Sequence, residues 1–243
     1  MFVQNNAVLP KPKVIYESDT LNYNFYDSKD TVEVRDTFYT RYGKRILDIV
    51  ICSIGLIFAL PIMGIIAVIT FFDVGAPVIF KQTRIGKDCK PFTIVKFKNM
   101  TDERDENGEL LLAEYRVTKI GKKLRQTSLD ELPQLFLIIK GDMSIIGPRP
   151  LLPEYLCRYD SRQIMRHAVR PGLECPTYFP MDHVWSWEEQ FENDVWYVEN
   201  CSLKVDIHLC FRVIQMVFDR KGSKTRAAAN RGAFKEDVFG EIR

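Results

Sequence analysis

The chain has 243 residues, enough for one sizeable domain or for a small domain with appendages. Its hydrophobic fraction of 46% and charged fraction of 27% are ordinary for a folded protein, and a net charge of +2 gives no reason to expect a nucleic-acid partner. The six cysteines form no CxxC pair and the three histidines lie far apart, so neither zinc binding nor a redox motif is predicted. We expect reduced thiols on the cytoplasmic side.

The first forty residues are polar and weakly periodic, and they predict a loosely ordered N-terminal extension over residues 1–40. An uncharged apolar segment then runs from Ile49 to Phe72. As a straight helix it would be roughly 36 Å long, enough to cross a hydrocarbon core of about 30 Å. A buried core helix of this length would normally keep a polar face, so the segment predicts a membrane helix within residues 41–75.

Basic residues stand on both sides of the apolar segment, and such residues mark the cytoplasmic side of a membrane helix. Pro61 lies near its centre, where it lacks a backbone donor and clashes with the preceding turn. Together these features favour a re-entrant hairpin kinked at Pro61, with a single span that tolerates the proline as the alternative. The flanking basic residues are Arg41, Lys44 and Arg45 before the segment and Lys81, Arg84, Lys87 and Lys90 after it.

The rest of the chain predicts an α/β fold, mostly α with a small β element, over residues 76–222, and a mobile tail over residues 223–243. Two short apolar runs around a turn within residues 78–100 predict the β element. Apolar spacing predicts helices in LPQLFLIIKG, PEYLCRYDSRQIMRHAV, WSWEEQFENDVWYVEN and SLKVDIHLCFRVIQMVFDRKG. The aromatic residues of the third and the basic end of the fourth suit either a membrane interface or core packing.

The stretch LRQTSLDELPQLFLIIKGDMSIIGPRP contains two adjacent acids, Asp130 and Glu131. Adjacent helical residues face different directions, so the two acids are expected to have different roles. The structural alternative is a capping box, in which Ser128 begins a helix and Glu131 bonds back to the Ser128 amide. Pro133 weakens this alternative, because a helix beginning at Ser128 would need the donor that proline lacks.

Arg149 lies in the rigid sequence IIGPRP, which has a proline on each side of the arginine. Such a turn fixes one guanidinium in place, and a guanidinium can bind two phosphate oxygens at once. A structural turn with a solvated arginine is the alternative, and these residues alone do not exclude it.

Several motifs in the same order make the chain resemble the bacterial sugar transferase family, in particular the small monotopic polyprenyl-phosphate phosphoglycosyl transferases. The matching motifs are RYGKRILDIV, PVIFKQTRIGKDCKPFTIVKFKNM, TDERDENGELL, LRQTSLDELPQLFLIIKGDMSIIGPRPLLPEYL and RHAVRPGL. They cover residues 41–173, and a looser similarity continues through FENDVWYVEN to about residue 220.

The resemblance implies a re-entrant helix in the cytoplasmic leaflet of the bacterial inner membrane, interfacial amphipathic helices and a compact catalytic domain on the cytoplasmic face. It also implies transfer of a sugar 1-phosphate from a UDP-sugar to polyprenyl phosphate with release of UMP, as the first membrane step of glycan assembly. The implied partners are these two substrates and the lipid bilayer, and a homo-oligomer stays open.

The resemblance also assigns roles to individual residues. Asp130 matches the nucleophile, which would form a covalent phospho-sugar intermediate and bind the required Mg²⁺, and Glu131 matches its partner acid. Arg125 and Arg149 match phosphate-binding positions. The weaker substrate-binding candidates are Lys96, Lys98 and Gln134.

The chain departs from the family pattern over residues 173–183. After Arg170-Pro171-Gly172 the family usually continues with a threonine-glycine-tryptophan-alanine-glutamine stretch, whereas this chain reads LECPTYFPMDH. The departure leaves donor-sugar specificity open. It also keeps two other functions in view, a catalytically silent membrane scaffold of a glycan-assembly complex and a membrane-tethered phosphohydrolase.

Overall fold

The computed structural model describes residues 15–17, 20–22, 32–177 and 186–218. Most of the expected N-terminal extension and the whole expected tail after residue 222 lie outside these ranges. The described helices are α1 (Lys44–Val74), α2 (Ala113–Arg116), α3 (Lys119–Gln126), α4 (Leu135–Lys140), α5 (Trp187–Asn200) and α6 (Leu203–Phe218). The described strands are β1 (Ile15–Glu17), β2 (Thr20–Asn22), β3 (Ile79–Ile85), β4 (Pro91–Phe97), β5 (Ser144–Ile146) and β6 (Gly172–Glu174).

The predicted apolar segment forms one long helix. Together with a preceding π-helical turn it extends over 36 residues, Tyr39–Val74, with a mean hydropathy of 2.7 in its most apolar window. Only 17% of that window is buried, whereas the core helix of a soluble protein of this size would be mostly covered. The length and the exposed apolar surface therefore support the predicted membrane helix.

Helix α1 runs through Pro61 without interruption and ends at Gly75, whose φ of 75° favours glycine and whose N–H donates to the Phe71 carbonyl. The predicted separation into two arms at Pro61 is therefore not confirmed, and the re-entrant topology stays a prediction. Proline removes only one backbone donor, so a helix can continue past it while neighbouring contacts hold the chain.

Both halves of α1 pack against the same folded domain. In the first half, Cys52 packs with Ile138, and the Arg45 guanidinium donates to the carbonyls of Ile138 and Ile139 at the end of α4. In the second half, Ile66 packs with Phe97 and Leu124. The Thr118 hydroxyl donates to Asp73 in the last turn of α1. The two ends of α1 are therefore anchored to one domain.

The predicted β element is an antiparallel hairpin of β3 and β4, with Ile79 opposite Phe97 and Ile85 opposite Pro91. Two further pairs were not predicted: β1 and β2 lie antiparallel within the expected N-terminal extension, and β5 and β6 lie parallel, with Ser144 opposite Gly172. At this pair a Cβ added to Gly172 would lie 2.2 Å from the Gly147 nitrogen, so only glycine fits. The expected fold, mostly α with a small β part, is confirmed.

The other predicted helices form with differences in detail. PEYLCRYDSRQIMRHAV folds as two short 3₁₀ helices, Pro153–Arg158 and Gln163–Ala168, in place of a regular α-helix. Helix α5 begins with a complete capping box of Ser186 and Glu189. Its Trp187 packs against the buried cluster that includes Tyr155 and Phe191, which agrees with the core-packing alternative for this aromatic residue.

Helix α6 is amphipathic, as predicted. It buries Val205 and Leu209 against α5 and β5 and leaves a stripe of large apolar side chains exposed. Its exposed members are Leu203, Ile207, Phe211 and Ile214, spaced by three or four residues. Helix α6 is therefore compatible with both alternatives, core packing and a membrane interface. One of its faces packs in the core, and the opposite face is apolar and exposed.

Candidate active site

The two adjacent acids lie on a 3₁₀ helix, Leu129–Gln134, between α3 and α4. Ser128 precedes it in the left-handed conformation, with φ of 56°. Within the described residues its side chain makes no capping hydrogen bond; its carbonyl instead accepts from the Glu131 N–H at 3.2 Å. The capping-box alternative is therefore wrong, because the tight turn before Pro133 replaces the regular first helical turn.

Asp130 is buried, with 4% of its surface exposed, where the 3₁₀ helix packs against the end of β4. Its Oδ2 accepts a hydrogen bond from the Asn99 side-chain amide at 2.9 Å. Burial raises the pKa of Asp130 and the adjacent Glu131 raises it further, while Lys96 and Arg125 lower it. A buried carboxylate that keeps few water contacts is an available nucleophile or metal ligand.

Glu131 faces a different partner from Asp130. The Arg149 Nη2 donates to Glu131 Oε1 at 2.6 Å, while its Nη1 lies 3.3 Å from the Leu173 carbonyl and 3.5 Å from Glu174 Oε2. The two adjacent acids therefore contact different groups, and their expected difference in role stays a prediction. Arg149 holds carboxylates in this structure, so its predicted contact with phosphate stays a prediction.

Two other predicted cationic residues, Lys96 and Arg125, lie near Asp130 and differ in their burial. Lys96 is half-buried with its amine 5.4 Å from the Phe80 ring centroid. Burial lowers the pKa of Lys96, and the nearby Asp130 and Glu131 act in the opposite direction. Arg125 is exposed at the end of α3, and its positive charge lowers the pKa of Asp130. Lys96 and Arg125 therefore place positive charge beside Asp130.

Two candidates have other placements. The Lys98 amine pairs with Asp102, an exposed acid of the charged loop, and not with the two adjacent acids. Gln134 is buried at the end of the 3₁₀ helix. Asn99 was missed by the sequence reasoning; its signal was its position directly after Lys98 in the matched motif FTIVKFKNM, where only the lysines were considered.

The carboxylates fit a weakly coordinated divalent cation better than a cation fully enclosed by protein. Among the residues that the structure describes, no group of three or more histidine, cysteine, aspartate or glutamate side chains could hold a metal ion. Magnesium commonly binds one or two carboxylates and completes its shell with water and substrate phosphates. Asp130 supplies one such carboxylate, and the binding of Mg²⁺ at this residue stays a prediction.

The segment expected to depart from the family pattern lies partly beside this site. Its Glu174 Oε2 is 3.5 Å from Nη1 of Arg149, the residue that holds Glu131. Residues 178–185 of the same region lie outside the described residues.

Comparison of the sequence with known proteins shows the family to which it is related. The sequence model of the bacterial sugar transferases matches residues 39–220. The uncharacterized sugar transferase EpsL of Bacillus subtilis is 43% identical over 183 residues, covering 74% of this chain and 89% of EpsL. The UDP-glucose:undecaprenyl-phosphate glucose-1-phosphate transferase of Klebsiella pneumoniae is 35% identical over 190 residues, covering 74% of this chain and 41% of that protein.

A third relative has the same kind of name. The UDP-N-acetylgalactosamine-undecaprenyl-phosphate N-acetylgalactosaminephosphotransferase of Aeromonas hydrophila is 32% identical over 189 residues, covering 74% of this chain and 45% of that protein. The chain thus spans most of the length of EpsL but less than half of the Klebsiella and Aeromonas relatives.

Proposed function

Because the chain belongs to the bacterial sugar transferase family, we propose that it transfers a sugar 1-phosphate from a UDP-sugar to polyprenyl phosphate. The products are polyprenyl-diphosphate-sugar and UMP, and the reaction is a membrane step of glycan assembly. The observation that carries the proposal is the buried Asp130 carboxylate, which accepts a hydrogen bond from Asn99 and is adjacent to the Glu131–Arg149 ion pair. The named substrates of the Klebsiella and Aeromonas relatives support this choice of donor and acceptor.

The transfer proceeds in two displacements at one phosphorus atom. A carboxylate oxygen of Asp130 attacks the phosphorus next to the sugar, a new oxygen–phosphorus bond forms, and the bond to UMP breaks. An oxygen of polyprenyl phosphate then attacks the same phosphorus and the bond to Asp130 breaks, which regenerates the free carboxylate. Each step exchanges one oxygen–phosphorus bond for another, so no oxidant or further reactant is needed.

The surrounding residues reduce the repulsion between a carboxylate and a diphosphate. Asn99 donates to one oxygen of Asp130 and thereby orients the carboxylate. Lys96 and Arg125 supply positive charge beside it. Mg²⁺ bound at Asp130 would neutralise charge on the diphosphate. Arg149 donates to Glu131 and holds it in a fixed position, so Glu131 is available to assist the lipid phosphate in the second step.

The placement of α1 supports an active site at the level of the bilayer surface. Its second half packs against Leu129 and Leu132, which flank Asp130 along the chain. Both of its ends are anchored to the same domain through Arg45 and Thr118, as a hairpin that enters and leaves on the cytoplasmic face requires. The exposed apolar stripe of α6 suits an interfacial helix. The acceptor's phosphate also lies at that surface.

The test is release of UMP from a panel of UDP-sugars by the purified full chain, with and without polyprenyl phosphate and with and without a chelator. We expect continued UMP release only with both lipid and magnesium. Asp130→Asn keeps the size of the side chain, is expected to abolish release, and serves as the matched inactive protein.

The alternatives give different results in the same assay. A phosphohydrolase would release free sugar phosphate without lipid, and a silent scaffold would release nothing with any donor. Either result would contradict the proposed reaction.

A further inference from the structure

A buried ion pair lies behind the candidate active site and takes no part in the proposed chemistry. Arg166 is 1% exposed and Asp194 is fully buried. The Arg166 Nε and Nη2 donate to Asp194 Oδ2 at 3.0 and 2.6 Å, and Nη1 donates to the Tyr159 hydroxyl at 3.0 Å. A buried ion pair is costly to desolvate and is often replaceable by apolar residues without loss of stability, so stability alone is a weak reason for it.

The ion pair is connected to the active site through one backbone atom. Nη2 of Arg166 also donates to the carbonyl of Arg149 at 2.9 Å. Arg149 is the residue whose own guanidinium donates to Glu131 at 2.6 Å. Asp194 therefore orients Arg166, Arg166 holds the backbone of Arg149, and Arg149 holds the catalytic acid.

The Pro-Arg-Pro turn needs this support because its prolines have no N–H groups. Pro148 and Pro150 can be held only through their carbonyls and by packing. Besides the bond from Arg166 to the Arg149 carbonyl, the Gly172 N–H donates to the Pro148 carbonyl at 3.1 Å and the Arg84 Nη1 lies 3.4 Å from the Pro150 carbonyl. The contact from Arg166 is the shortest of these three, and it is the one made to Arg149 itself.

The Arg166 guanidinium is itself fixed. Its carbon lies 5.7 Å from the Tyr159 ring centroid and 5.4 Å from the Phe191 ring centroid. The rings and Asp194 together leave it few alternative positions, because a planar guanidinium keeps several donors in one rigid arrangement.

We propose that Arg166, oriented by Asp194, is a positioning residue that fixes the Arg149 backbone and thereby aims the Arg149 side chain at Glu131. The inference rests on the proposed function, since the positioned pair matters only if Glu131 takes part in transfer. It assigns the buried pair a role in the rate of the reaction rather than in the stability of the fold.

The test replaces the whole ion pair with apolar residues of similar size, Arg166→Met together with Asp194→Leu, in the full chain in detergent or nanodiscs. Apolar replacement is expected to keep the melting temperature close to that of the wild type. Single-turnover transfer of the sugar phosphate to polyprenyl phosphate, the step that Glu131 assists, is expected to fall roughly 10- to 100-fold, the size of loss that a small misplacement of a catalytic group produces.

A second background separates positioning from a general effect. In an Arg149→Ala protein, measured with enzyme in excess of donor, the same double replacement is expected to cause no further fall, because the group being aimed is already absent. Equal falls in both backgrounds would overturn the proposal, as would unchanged transfer to polyprenyl phosphate by the folded double variant.

Two further variants keep the test decisive. Val198→Ala, in the core on the same helix as Asp194, lowers stability without touching the Arg149 carbonyl and is expected to keep the wild-type rate of transfer to polyprenyl phosphate. A loss as large as that of the double variant would make the effect structural.

If the double variant does not fold, Arg166→Lys replaces it with the same expectations, because a lysine can pair with Asp194 but cannot also hold the Arg149 carbonyl. Failure of the wild-type protein to release UMP with any donor and lipid would instead overturn the proposed function, before any variant is compared.

Discussion

Asp130 combines burial with a need to carry negative charge. Burial and Glu131 raise its pKa, whereas Asn99, Lys96 and Arg125 favour the ionised form. In the proposed mechanism the nucleophile is the ionised carboxylate, so activity is expected above this pKa and is expected to be lost as the pH falls through it. Asn99 donates a hydrogen bond to Oδ2 of this carboxylate, so this residue, which does not itself react, is expected to affect how activity depends on pH.

Asn99→Ala is expected to move the acidic limb of the pH profile upward. Removing a donor to the ionised carboxylate leaves burial and Glu131 less opposed, so the pKa of Asp130 rises further. The measurement is kcat/KM against pH for wild type and variant at the same magnesium concentration. A limb at the same pH in both proteins, or one that moves downward, would contradict this role for Asn99.

Arg149→Lys is expected to lower transfer by roughly 100-fold, the loss seen when one preorganised donor of a charged transition state is removed. A lysine cannot reproduce the planar contact with Glu131 and Glu174. Arg162→Lys is the matched control, because Arg162 also lies between two glutamates, Glu192 and Glu199 on α5, which are not candidate site residues. Steady-state UMP release by the Arg162 variant is expected to stay at the wild-type level. Similar rates in the two variants would argue against the site.

At the scale of elements, sequence patterns succeeded where neighbouring residues decide the structure. Helix α1 and the β3–β4 hairpin follow from apolar length and local alternation, which act over short stretches of chain. The β5–β6 pair was missed because its partners, Ser144 and Gly172, are distant in the sequence.

The site was predicted to a similar extent. The family motifs gave Asp130, Glu131 and Arg149, but not the contacts that each one makes. The bonds from Asn99 and Arg166 depend on packing between separate elements and leave no periodic signal. The capping box failed because Ser128 adopts a left-handed conformation that the following 3₁₀ turn requires.

The element whose arrangement in the membrane stays a prediction is α1. Cysteines at positions 38 and 87, introduced as Phe38→Cys and Lys87→Cys, would lie on exposed sites on either side of it. Cys157, which is exposed, is first replaced by serine to remove background reaction. Both introduced thiols are expected to react with a membrane-impermeant reagent only after the cytoplasmic side is opened, because both flanks are basic. Reaction of the first from outside intact cells would establish a single span instead.

At the scale of the whole molecule, the membrane helix and the catalytic residues form one unit. Helix α1 is anchored at its start to the end of α4 by Arg45 and at its end to the start of α3 by Thr118. The acids lie on the 3₁₀ helix between α3 and α4. In the proposed two-step transfer both the nucleotide sugar and the lipid phosphate must reach this one site, because the lipid phosphate attacks the phosphorus atom from the side that UMP has left.

The most direct test of the two-step mechanism is whether Asp130 becomes covalently modified. The enzyme is mixed with UDP-sugar and magnesium without lipid, quenched rapidly and digested, and the peptides are analysed by mass. The peptide that contains Asp130 is expected to carry the mass of the sugar phosphate, in an amount that matches a burst of UMP. Glu131→Gln is expected to let this adduct accumulate, and Asp130→Asn to prevent it. A burst of UMP from active enzyme with no added mass on that peptide would contradict the covalent intermediate and favour direct transfer to the lipid.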